Sequence, residues 1–476
     1  MTDTRRYLVA GEWRKGDDAF EVTSPFDGSV VARVARPGGR DIEDAVAAAA
    51  AVFEETRKLP VHARAEALSL ISKRLAERQD EVAGLITREA GKPLKWAKVE
   101  AGRAASTFRW AAEEVRHGFD ELMRLDTDPA LGSRLGLVRR FPLGPVLGIA
   151  PFNFPVNLVA HKLAPALAVG APIVIKPATK TPLGALLLGE LFGETDLPKE
   201  MVSVLPVGGS DAEKMAGDER FAKVTFTGSS DVGWNLRKVA NKKAVTLELG
   251  GNAGVIVHSD ADLDHAAQRC AFGGYYQAGQ SCIAVQRVIV QKDVAEEFSS
   301  KLVAEVEKLK AGDPLDAETD VGPLIDRDAL DKVASFVDEA VQAGAEVLTG
   351  GKREDPFYLP TVVTKTRPEM KVRCEEIFGP VVVVETYSEF EDAIALSNET
   401  RFGLQAGVFT KDVDRIMLAH RDIRVGGVIV NDVSAFRADQ MPYGGSKDSG
   451  AGREGLRYAM EEMTETRVLV LSNVAL

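Results

Sequence analysis

Apolar positions in the first quarter of the chain recur three and four residues apart. The stretches DIEDAVAAAAAVFEE and ARAEALSLISKRLAERQDEVAGLI, which begin at Asp41 and Ala63, are rich in alanine, leucine and glutamate. This spacing places apolar side chains along one face of a helix. The pattern therefore predicts a helical region over residues 41–118.

From about Val146 onward, short apolar runs alternate with helical stretches. VLGIA, PIVIKP, MVSVLPV, AKVTFTG and AVTLELGG are predicted strands, and the segments between them have helical spacing. This alternation predicts βαβ units and a parallel sheet that presents ligand sites at the carboxyl ends of its strands. A second α/β series follows Gly251, with GVIV as a strand, residues 262–278 (DLDHAAQRCAFGGYYQA) as a helix and VQRVIVQ as a strand.

Two stretches fit neither α/β series. RLGLVRRF, within residues 121–144, and RVLVLS, at 467–472, both have the composition of strands. They are predicted to lie outside both sheets.

The bulk composition narrows the class of protein. A chain of 476 residues suggests about three domains, and 59 basic against 71 acidic residues give a net charge of −12, which argues against a nucleic-acid binder. Three cysteines form a poor disulfide framework, and the N-terminus lacks the apolar run of a signal peptide. The longest apolar run, Leu163–Ile175, is too short to span a membrane. We expect a soluble cytoplasmic protein.

Several polar residues stand at the ends of predicted strands or in the segments between predicted elements. Cys282 lies in AGQSCIA, where a cysteine is compatible with a core position, a metal ligand, a disulfide or a nucleophile. Asn153 lies in PFNFP, between two prolines that fix the backbone, so its amide is available to a developing oxyanion. Glu248 ends an apolar strand, and desolvation there would raise its pKa and suit it to general-base catalysis. Lys176 also ends a strand, and Gly228 in FTGSSDVG precedes a helix whose N-terminus favours an anion.

These features occur in one order along the chain. PFNFP, IVIKPA, FTGSSDVG, ELGGN, GQSC, EEIFGP (375–380) and PYGGSKDSG (442–450) together closely resemble the aldehyde dehydrogenase superfamily, from roughly residue 5 to the C-terminus. Details such as GQSCIAVQR are more similar to the lactaldehyde and non-phosphorylating glyceraldehyde-3-phosphate branch than to betaine or retinal enzymes.

The resemblance implies a catalytic set for oxidising an aldehyde to a carboxylate with NAD(P). Cys282 would be the nucleophile that forms a thiohemiacetal and then a thioester, and Asn153 would share the oxyanion hole with the backbone N–H of Cys282. Glu248 would activate the water that hydrolyses the thioester, and Lys162 matches a family lysine linked to proton transfer.

The resemblance also implies a cofactor site. It places Lys176 on the adenosine ribose, Gly228 and Ser229 at the diphosphate, Glu376 on the nicotinamide ribose and Phe378 close to the nicotinamide ring. NAD-preferring members commonly have a glutamate three residues after the lysine, where this chain has Thr179. A 2′-phosphate would meet no like charge at that position, so NADP is plausible and NAD use remains open.

The implied fold is α/β and has three parts. A Rossmann-like cofactor domain would take residues 1–120 and 143–248, an α/β catalytic domain residues 249–460, and a β-ribbon for oligomerisation residues 121–142 and 461–476. We therefore expect a homodimer or homotetramer.

The substrate is less well defined by the sequence. Arg103 and Arg437 flank regions that line the aldehyde entrance in this family, and either one could hold an anionic or hydroxylated tail or be a surface residue. Some members of the branch have arginine directly before the nucleophile, where this chain has Ser281. We expect a short hydroxylated or anionic aldehyde rather than a phosphorylated one.

Four alternatives are weighed against this interpretation. A CoA-acylating enzyme of the family typically lacks the glutamate found here as Glu248, and a cysteine hydrolase needs a histidine motif that the sequence does not offer. A non-catalytic cofactor-binding or structural protein on the same scaffold stays open. A zinc site would draw on irregularly spaced residues, which are His258, His265, Cys270 and Cys282, and we expect no metal.

Overall fold

The computed structural model describes residues 4–473, which form two large sheets, a third sheet of three strands, two two-stranded sheets (Asp18–Thr23 with Val30–Arg36, and Arg353–Glu354 with Phe357–Tyr358) and fifteen α-helices. The strands, in chain order, are β1 (Tyr7–Val9), β2 (Glu12–Arg14), β3 (Asp18–Thr23), β4 (Val30–Arg36), β5 (Glu121–Arg124), β6 (Arg134–Pro142), β7 (Val146–Ile149), β8 (Ile173–Lys176), β9 (Val202–Val204), β10 (Lys223–Thr227), β11 (Ala244–Glu248), β12 (Ala253–Val257), β13 (Val285–Gln291), β14 (Glu346–Thr349), β15 (Arg353–Glu354), β16 (Phe357–Tyr358), β17 (Thr361–Thr364), β18 (Val381–Tyr387), β19 (Gln405–Phe409), β20 (Gly427–Val430), β21 (Gly450–Ala451) and β22 (Thr464–Ser472). The helices are α1 (Gly39–Thr56), α2 (Val61–Glu77), α3 (Gln79–Ala90), α4 (Leu94–His117), α5 (Asn157–Val169), α6 (Leu183–Gly193), α7 (Gly209–Gly217), α8 (Ser230–Ala240), α9 (Leu263–Tyr275), α10 (Ala295–Val306), α11 (Arg327–Gln342), α12 (Lys371–Cys374), α13 (Phe390–Asn398), α14 (Val413–Asp422) and α15 (Leu456–Glu462).

The first large sheet has eight strands in the order β2-β1-β9-β8-β7-β10-β11-β21. Its five central strands are parallel, as the alternation after Val146 predicts, and short antiparallel strands close both edges. Parallel pairing aligns the carboxyl ends, so Thr227 lies opposite Glu248, and Ile149 lies opposite Lys176. The predicted site residues of these strands therefore share one edge of the sheet.

The second large sheet has seven strands in the order β14-β17-β18-β13-β12-β19-β20. All its pairs are parallel except β14 with β17. Near-continuous apolar strands such as β12 (AGVIV), which is buried at every position, fit a sheet covered on both faces. The predicted α/β class is confirmed.

The third sheet lies outside the other two, as the sequence predicts, with the order β22-β6-β5. β22 pairs with β6 over nine antiparallel positions, from Thr464 opposite Pro142 to Ser472 opposite Arg134. Most of β22 and all of β5 are exposed in the single chain.

Helix α5 brings polar residues into the interior. All thirteen of its residues are buried between the first sheet and the helices α2, α4 and α15. A helix that is apolar nearly all round needs cover on every side. His161 and Lys162 are therefore buried and must find partners within the protein.

Two features of the fold differ from the sequence expectation. The strands β1 to β4, over residues 7–36, are not predicted, because runs as short as Tyr7–Val9 are too brief to show a period. The predicted helix over residues 262–278 ends at Tyr275, because Gln277 and Ala278 both have a φ of 53° and leave the helical region.

The C-terminal part of the chain returns to the first sheet. β21 pairs with β11, and the buried Leu456 and Met460 of α15 join the hydrophobic core around that sheet. We therefore propose that residues 450–460 belong with the cofactor domain, and that the catalytic domain ends before them. Across residues 4–473 the structure contains no helix long and apolar enough to cross a membrane.

Candidate active site

The loop that carries Cys282 leaves helix α9 through a tight left-handed turn. Gln277, Ala278 and Gly279 have φ values of 53°, 53° and 68°. Non-glycine residues in this region are strained, and such strain is held in place by the surrounding structure. Here Gln277 donates its side-chain amide to the backbone oxygen of Asn153, and Asn153 Nδ2 donates to the backbone oxygen of Gln280 at 3.0 Å. The PFNFP segment and the cysteine loop are thus joined at two points.

Cys282 is half-buried, and its thiol has one polar partner among the described residues. Sγ lies 3.0 Å from the hydroxyl of Tyr443. Burial raises the pKa of the Cys282 thiol to about 12, although the Tyr443 hydroxyl and the charge of Arg437 act in the opposite direction. Gly251 lies against the backbone of Cys282, since a Cβ there would stand 2.1 Å from the Cys282 oxygen. The second glycine of ELGGN is therefore required by this close approach.

Glu248 is a buried carboxyl group without a hydrogen bond. It is 2% exposed, and neither of its side-chain oxygens has a partner within residues 4–473. Burial, reinforced by the charge of Glu454, raises its pKa well above the ordinary value. Its electrostatic influence reaches the Cys282 thiol. An unpartnered carboxylate of raised pKa beside a thiol is suited to take a proton.

Lys162 has a structural setting that differs from that of Glu248. Its ammonium group donates to Glu454 at 3.0 Å and to Thr227 at 2.7 Å. Glu454 also accepts from Arg437 at 3.1 Å. Burial opposes ionisation of Glu454, but Lys162 and Arg437 outweigh it and hold the pKa of Glu454 well below its ordinary range. Lys162 is therefore part of a buried charge network next to Glu248.

The predicted cofactor residues gather at the carboxyl edge of the first sheet. Lys176 ends β8, its ammonium group makes no hydrogen bond or ion pair within the described chain, and burial lowers its pKa to about 8. Ser229 is exposed at the N-terminus of α8, and Gly228 has no room for a side chain, because a Cβ would stand 2.5 Å from the Phe226 ring. Thr179 is half-buried in the turn after β8. A lysine side chain without a partner suits the binding of a phosphorylated cofactor. So does the N-terminus of a helix that follows a glycine, because the cofactor can come close to the backbone there.

Glu376 and Phe378 lie on the opposite side of the cleft, in the second sheet's half of the molecule. Glu376 accepts from the backbone N–H of Gly251 at 2.9 Å, and burial raises its pKa to about 7. Phe378 has a φ of 54° and packs edge-on against Phe152, with 5.9 Å between the ring centroids. The two residues therefore face the strand ends that carry Cys282 and Asn153.

A cavity of about 260 Å³ adjoins the cysteine loop. Arg103 and Arg437 both line it, so the structure places the two arginines together. Arg103 pairs with Asp439 at 2.8 Å, whereas Arg437 is 6% exposed and pairs with Glu454. Neither is a free surface arginine, yet the Nε–H of each is buried without a partner among the described residues. The cavity wall also contains cationic and aromatic groups, which are Lys92, Arg269, Phe154, Phe272, Tyr276 and Phe436.

Sequence reasoning missed residues that act through tertiary contacts. Tyr443 is the second residue of the quoted PYGGSKDSG motif and Glu454 follows it by four positions, but nothing in the sequence shows their contacts with Cys282 and Lys162. Glu100, on α4, accepts from the backbone N–H groups of Val156 and Asn157 and forms a buried ion pair with Lys92. It thereby anchors the start of α5, which has no side-chain cap of its own.

The alternative metal residues lie in separate places. His258 pairs with the Tyr387 hydroxyl at 2.8 Å, and Cys270 is buried in the core of the second sheet. No group of three or more histidine, cysteine or acidic side chains in residues 4–473 is arranged to hold a metal ion.

Comparison with known proteins gives consistent matches over nearly the whole chain. The model of the aldehyde dehydrogenase family matches residues 13–469. A 3-sulfolactaldehyde dehydrogenase from Priestia aryabhattai is 41% identical and covers 99% of each chain. Aldehyde dehydrogenase 21 from Physcomitrella patens, solved in complex with the reaction product succinate, is 44% identical with a TM-score of 0.97 and covers 100% of this chain and 99% of its own. The glyceraldehyde-3-phosphate dehydrogenase GapN from Methanocaldococcus jannaschii, solved with NADP, is 35% identical with a TM-score of 0.92. The match covers 96% of this chain and 100% of the GapN chain.

Proposed function

The chain belongs to the aldehyde dehydrogenase family and is an NAD(P)-dependent oxidoreductase that acts on aldehydes, and from this premise we propose that it oxidises a short aldehyde with an anionic tail through a thioester on Cys282. The observation that carries the choice of substrate is the pair of arginines, Arg103 and Arg437, that line the cavity beside the cysteine loop. A guanidinium group forms charge-assisted hydrogen bonds with an anionic tail, which a neutral tail cannot form.

The proposed catalytic roles are those that the family resemblance implies, and the joining of Asn153 to the cysteine loop supports them. The thiolate of Cys282 attacks the aldehyde carbon, and the carbonyl electron pair moves onto oxygen, where Asn153 and the backbone N–H of Cys282 stabilise it. A nicotinamide, when bound, would accept the hydride that this carbon loses as the thioester forms. Glu248 takes a proton from the water that attacks the thioester, the carbon–sulfur bond breaks, and its electron pair returns to sulfur.

Lys162 has a positioning role in this proposal. Its contacts with Glu454 and Thr227 hold a positive charge near Glu248 and leave the Glu248 carboxylate free of a direct ion pair. One carboxyl group is therefore kept ionised while its neighbour has a raised pKa, which separates their roles.

The tail of the substrate is assigned by charge and size. A cavity of about 260 Å³ suits a small ligand, and four cationic side chains line it against one acidic side chain, Glu100. The names of the relatives fit this chemistry, since one acts on a sulfonated aldehyde and another was solved with the dicarboxylate succinate. A carboxylate or sulfonate tail on a three- or four-carbon aldehyde is therefore the proposed substrate class.

The test of the substrate class compares two aldehydes of similar length, butanal and succinic semialdehyde. The change Arg103→Gln removes the more exposed of the two arginines. We expect KM to rise about tenfold or more for succinic semialdehyde and to change little for butanal. Arg116→Gln, on the exposed end of the same helix, is the control. Equal kcat/KM for the two aldehydes in the unchanged protein would contradict the anionic tail.

The cofactor is proposed to be NADP in preference to NAD. Thr179 offers a hydroxyl and no negative charge where a 2′-phosphate would lie, and the buried Lys176 has no competing partner. The change Thr179→Glu is expected to lower kcat/KM for NADP more than for NAD, because it places a carboxylate against the phosphate. An unchanged ratio of the two values would remove this argument.

A CoA-acylating variant of the reaction is the second candidate. It would release the thioester to CoA, and the carboxyl group of Glu248 would then have no water to activate. The unpartnered, buried Glu248 favours hydrolysis. Formation of an acyl-CoA at a rate that exceeds carboxylate formation would reverse the assignment.

The assembly and compartment are proposed from surface and cysteine chemistry. The exposed strands of the third sheet carry apolar side chains suited to an interface between copies of the chain, as a homodimer or homotetramer.

Cys270, Cys282 and Cys374 are all free thiols, which fits a reducing compartment such as the cytoplasm.

A further inference from the structure

We propose that Tyr443 is a catalytic residue whose hydroxyl donates a hydrogen bond to the sulfur of Cys282 whenever that sulfur carries negative charge. The proposal rests on the proposed function, in which Cys282 is the nucleophile. In the proposed function, Asn153 and the backbone N–H of Cys282 donate to the substrate oxygen. Tyr443 would be a further donor, directed at the sulfur.

The position of the Tyr443 hydroxyl is fixed from several directions. Its oxygen lies 3.0 Å from Sγ of Cys282, and the residue is 3% exposed. The backbone of Tyr443 exchanges two hydrogen bonds with Glu454, and its ring packs with Ile283 and Leu404. The hydroxyl is thus directed at the sulfur by a rigid setting rather than by a mobile side chain.

The charge on Arg437 supports donation by this hydroxyl. The guanidinium group lies 3.7 Å from the centroid of the Tyr443 ring, within the range of a cation–π contact. Glu454 holds Arg437 in place through a 3.1 Å ion pair. A cation over the ring stabilises electron density that moves from the O–H bond toward the phenol oxygen, and it therefore strengthens the donor.

The thiol needs such a donor because its surroundings oppose ionisation. Burial is the largest effect on the thiol, and the carboxyl groups of Glu376 and Glu248 add to it, while Arg437 acts in the opposite direction. Tyr276 is also close enough to interact with the thiol electrostatically. Burial raises the pKa of Tyr443 well above its ordinary value, so this phenol stays neutral and keeps its proton.

Tyr443 acts twice in the reaction without transferring a proton. Before attack it stabilises the thiolate, which can only accept a hydrogen bond. When the thioester is hydrolysed, the carbon–sulfur bond breaks, the electron pair returns to sulfur, and the same hydroxyl stabilises the departing thiolate. In the thioester itself the sulfur carries no charge, so the interaction is weakest in that state.

The experiment measures the ionisation of Cys282 without any aldehyde or cofactor. Iodoacetamide reacts with the thiolate, so its rate of reaction at Cys282, followed on the peptide that contains this residue, reports the thiolate fraction at each pH. In Tyr443→Phe we expect the rate at a given pH below the thiol pKa to fall about tenfold or more, because a hydrogen bond to a charged group is lost. The plot of the logarithm of the rate against pH should therefore shift to higher pH by about one unit or more.

A matched control separates this effect from the loss of any buried hydroxyl. Tyr387→Phe removes a buried hydroxyl that pairs with His258 in the second sheet's half of the molecule and does not contact Cys282. Its alkylation profile should coincide with that of the unchanged protein. A Tyr443→Phe profile that also coincides with it would overturn the proposal.

A second variant keeps the test independent of folding. Replacing Tyr443 with 3,5-difluorotyrosine retains the hydroxyl and makes it a stronger donor, so alkylation below the thiol pKa should become faster rather than slower. A slower or unchanged rate would also contradict the proposal. If Cys282→Ser retained aldehyde turnover, the proposed function would fail, while the alkylation profiles would still decide whether Tyr443 controls the thiol.

Discussion

Glu248 and Glu454 show how two buried glutamates in one site acquire different properties. Glu454 has two cationic partners, Lys162 and Arg437, whereas Glu248 has no hydrogen-bond partner among the described residues. Burial therefore dominates at Glu248 and raises its pKa, while the cations dominate at Glu454 and lower its pKa. Glu248 is therefore the stronger base of the two, and Glu454 is the carboxyl group that more readily stays ionised.

The first prediction concerns Glu248→Gln. We expect hydrolysis of the thioester to slow by about 10²–10⁴-fold, the range typical of a lost general base, while the first release of NAD(P)H persists as a burst. In the unchanged protein, hydrolysis needs the ionised carboxylate, so its rate should fall as the pH drops through the raised pKa of Glu248. Rapid-mixing absorbance at several pH values checks both effects, and an unaltered steady-state rate in the variant would remove Glu248 from the mechanism.

Candidate site residues were predictable where a sequence motif marks them. Asn153 and Glu248 follow from PFNFP and ELGG at the carboxyl ends of parallel strands, which meet at one edge, whereas Cys282 follows from GQSC in the loop before β13. The contact of Tyr443 with Cys282 spans 161 positions in the chain. The Lys162–Glu454 contact spans 292 positions, and no local pattern encodes either distance.

At the scale of elements, the turn between α9 and the cysteine loop decides where the nucleophile lies. The periodicity of residues 262–278 is helical to its end, yet the chain leaves the helix after Tyr275. Two hydrogen bonds fix the turn in this conformation. Gln277 donates to the backbone oxygen of Asn153, and the side-chain oxygen of Gln280 accepts from the backbone N–H of Ile325. Tertiary hydrogen bonds thus override a local helical preference, and so the sequence could not show the turn.

The second prediction tests this turn with Gly279→Ala. A Cβ on Gly279 would stand 2.1 Å from the backbone oxygen of Gly379, and its φ of 68° is unfavourable for alanine. We expect the free energy of unfolding to fall by about 1–3 kcal/mol or more, with altered alkylation of Cys282.

The matched change is Gly84→Ala, in the middle of α3, where a Cβ meets no atom within 4 Å. It should raise the free energy of unfolding by about 0.5–1 kcal/mol, because alanine is the better helix former. Urea denaturation measures both variants. Equal stability of Gly279→Ala and the unchanged protein would show that the turn tolerates a side chain.

At the scale of the whole molecule, the third sheet exposes more apolar side chains than the surface of a monomeric protein usually does. Val468 and Leu469 of β22 are 60% and 54% exposed, and Leu122 of β5 is 64% exposed. The composition of RLGLVRRF and RVLVLS predicts strands outside the two large sheets, and β6 and β22 confirm that placement, whereas β5 is not predicted. The sequence could not show that both faces of β22 are left uncovered.

The third prediction concerns Leu469→Asp. If copies of the chain associate through the third sheet, a buried, unpaired carboxylate at their interface should shift the protein to a smaller species. Light scattering coupled to size-exclusion chromatography measures the mass. Val413→Asp, at a position that is 68% exposed in α14, should leave the mass unchanged. A Leu469→Asp protein of the original mass would exclude this surface as the interface.

The central claim is that oxidation proceeds through a covalent bond to Cys282, and it can be tested directly on the protein. Glu248→Gln protein would be mixed with cofactor and with an aldehyde that the unchanged protein oxidises, quenched in acid within one turnover, and its peptides weighed by mass spectrometry. We predict an acyl group on the peptide that contains Cys282 and none on the peptides of Cys270 and Cys374. Formation of NAD(P)H with Cys282 unmodified throughout would contradict the account.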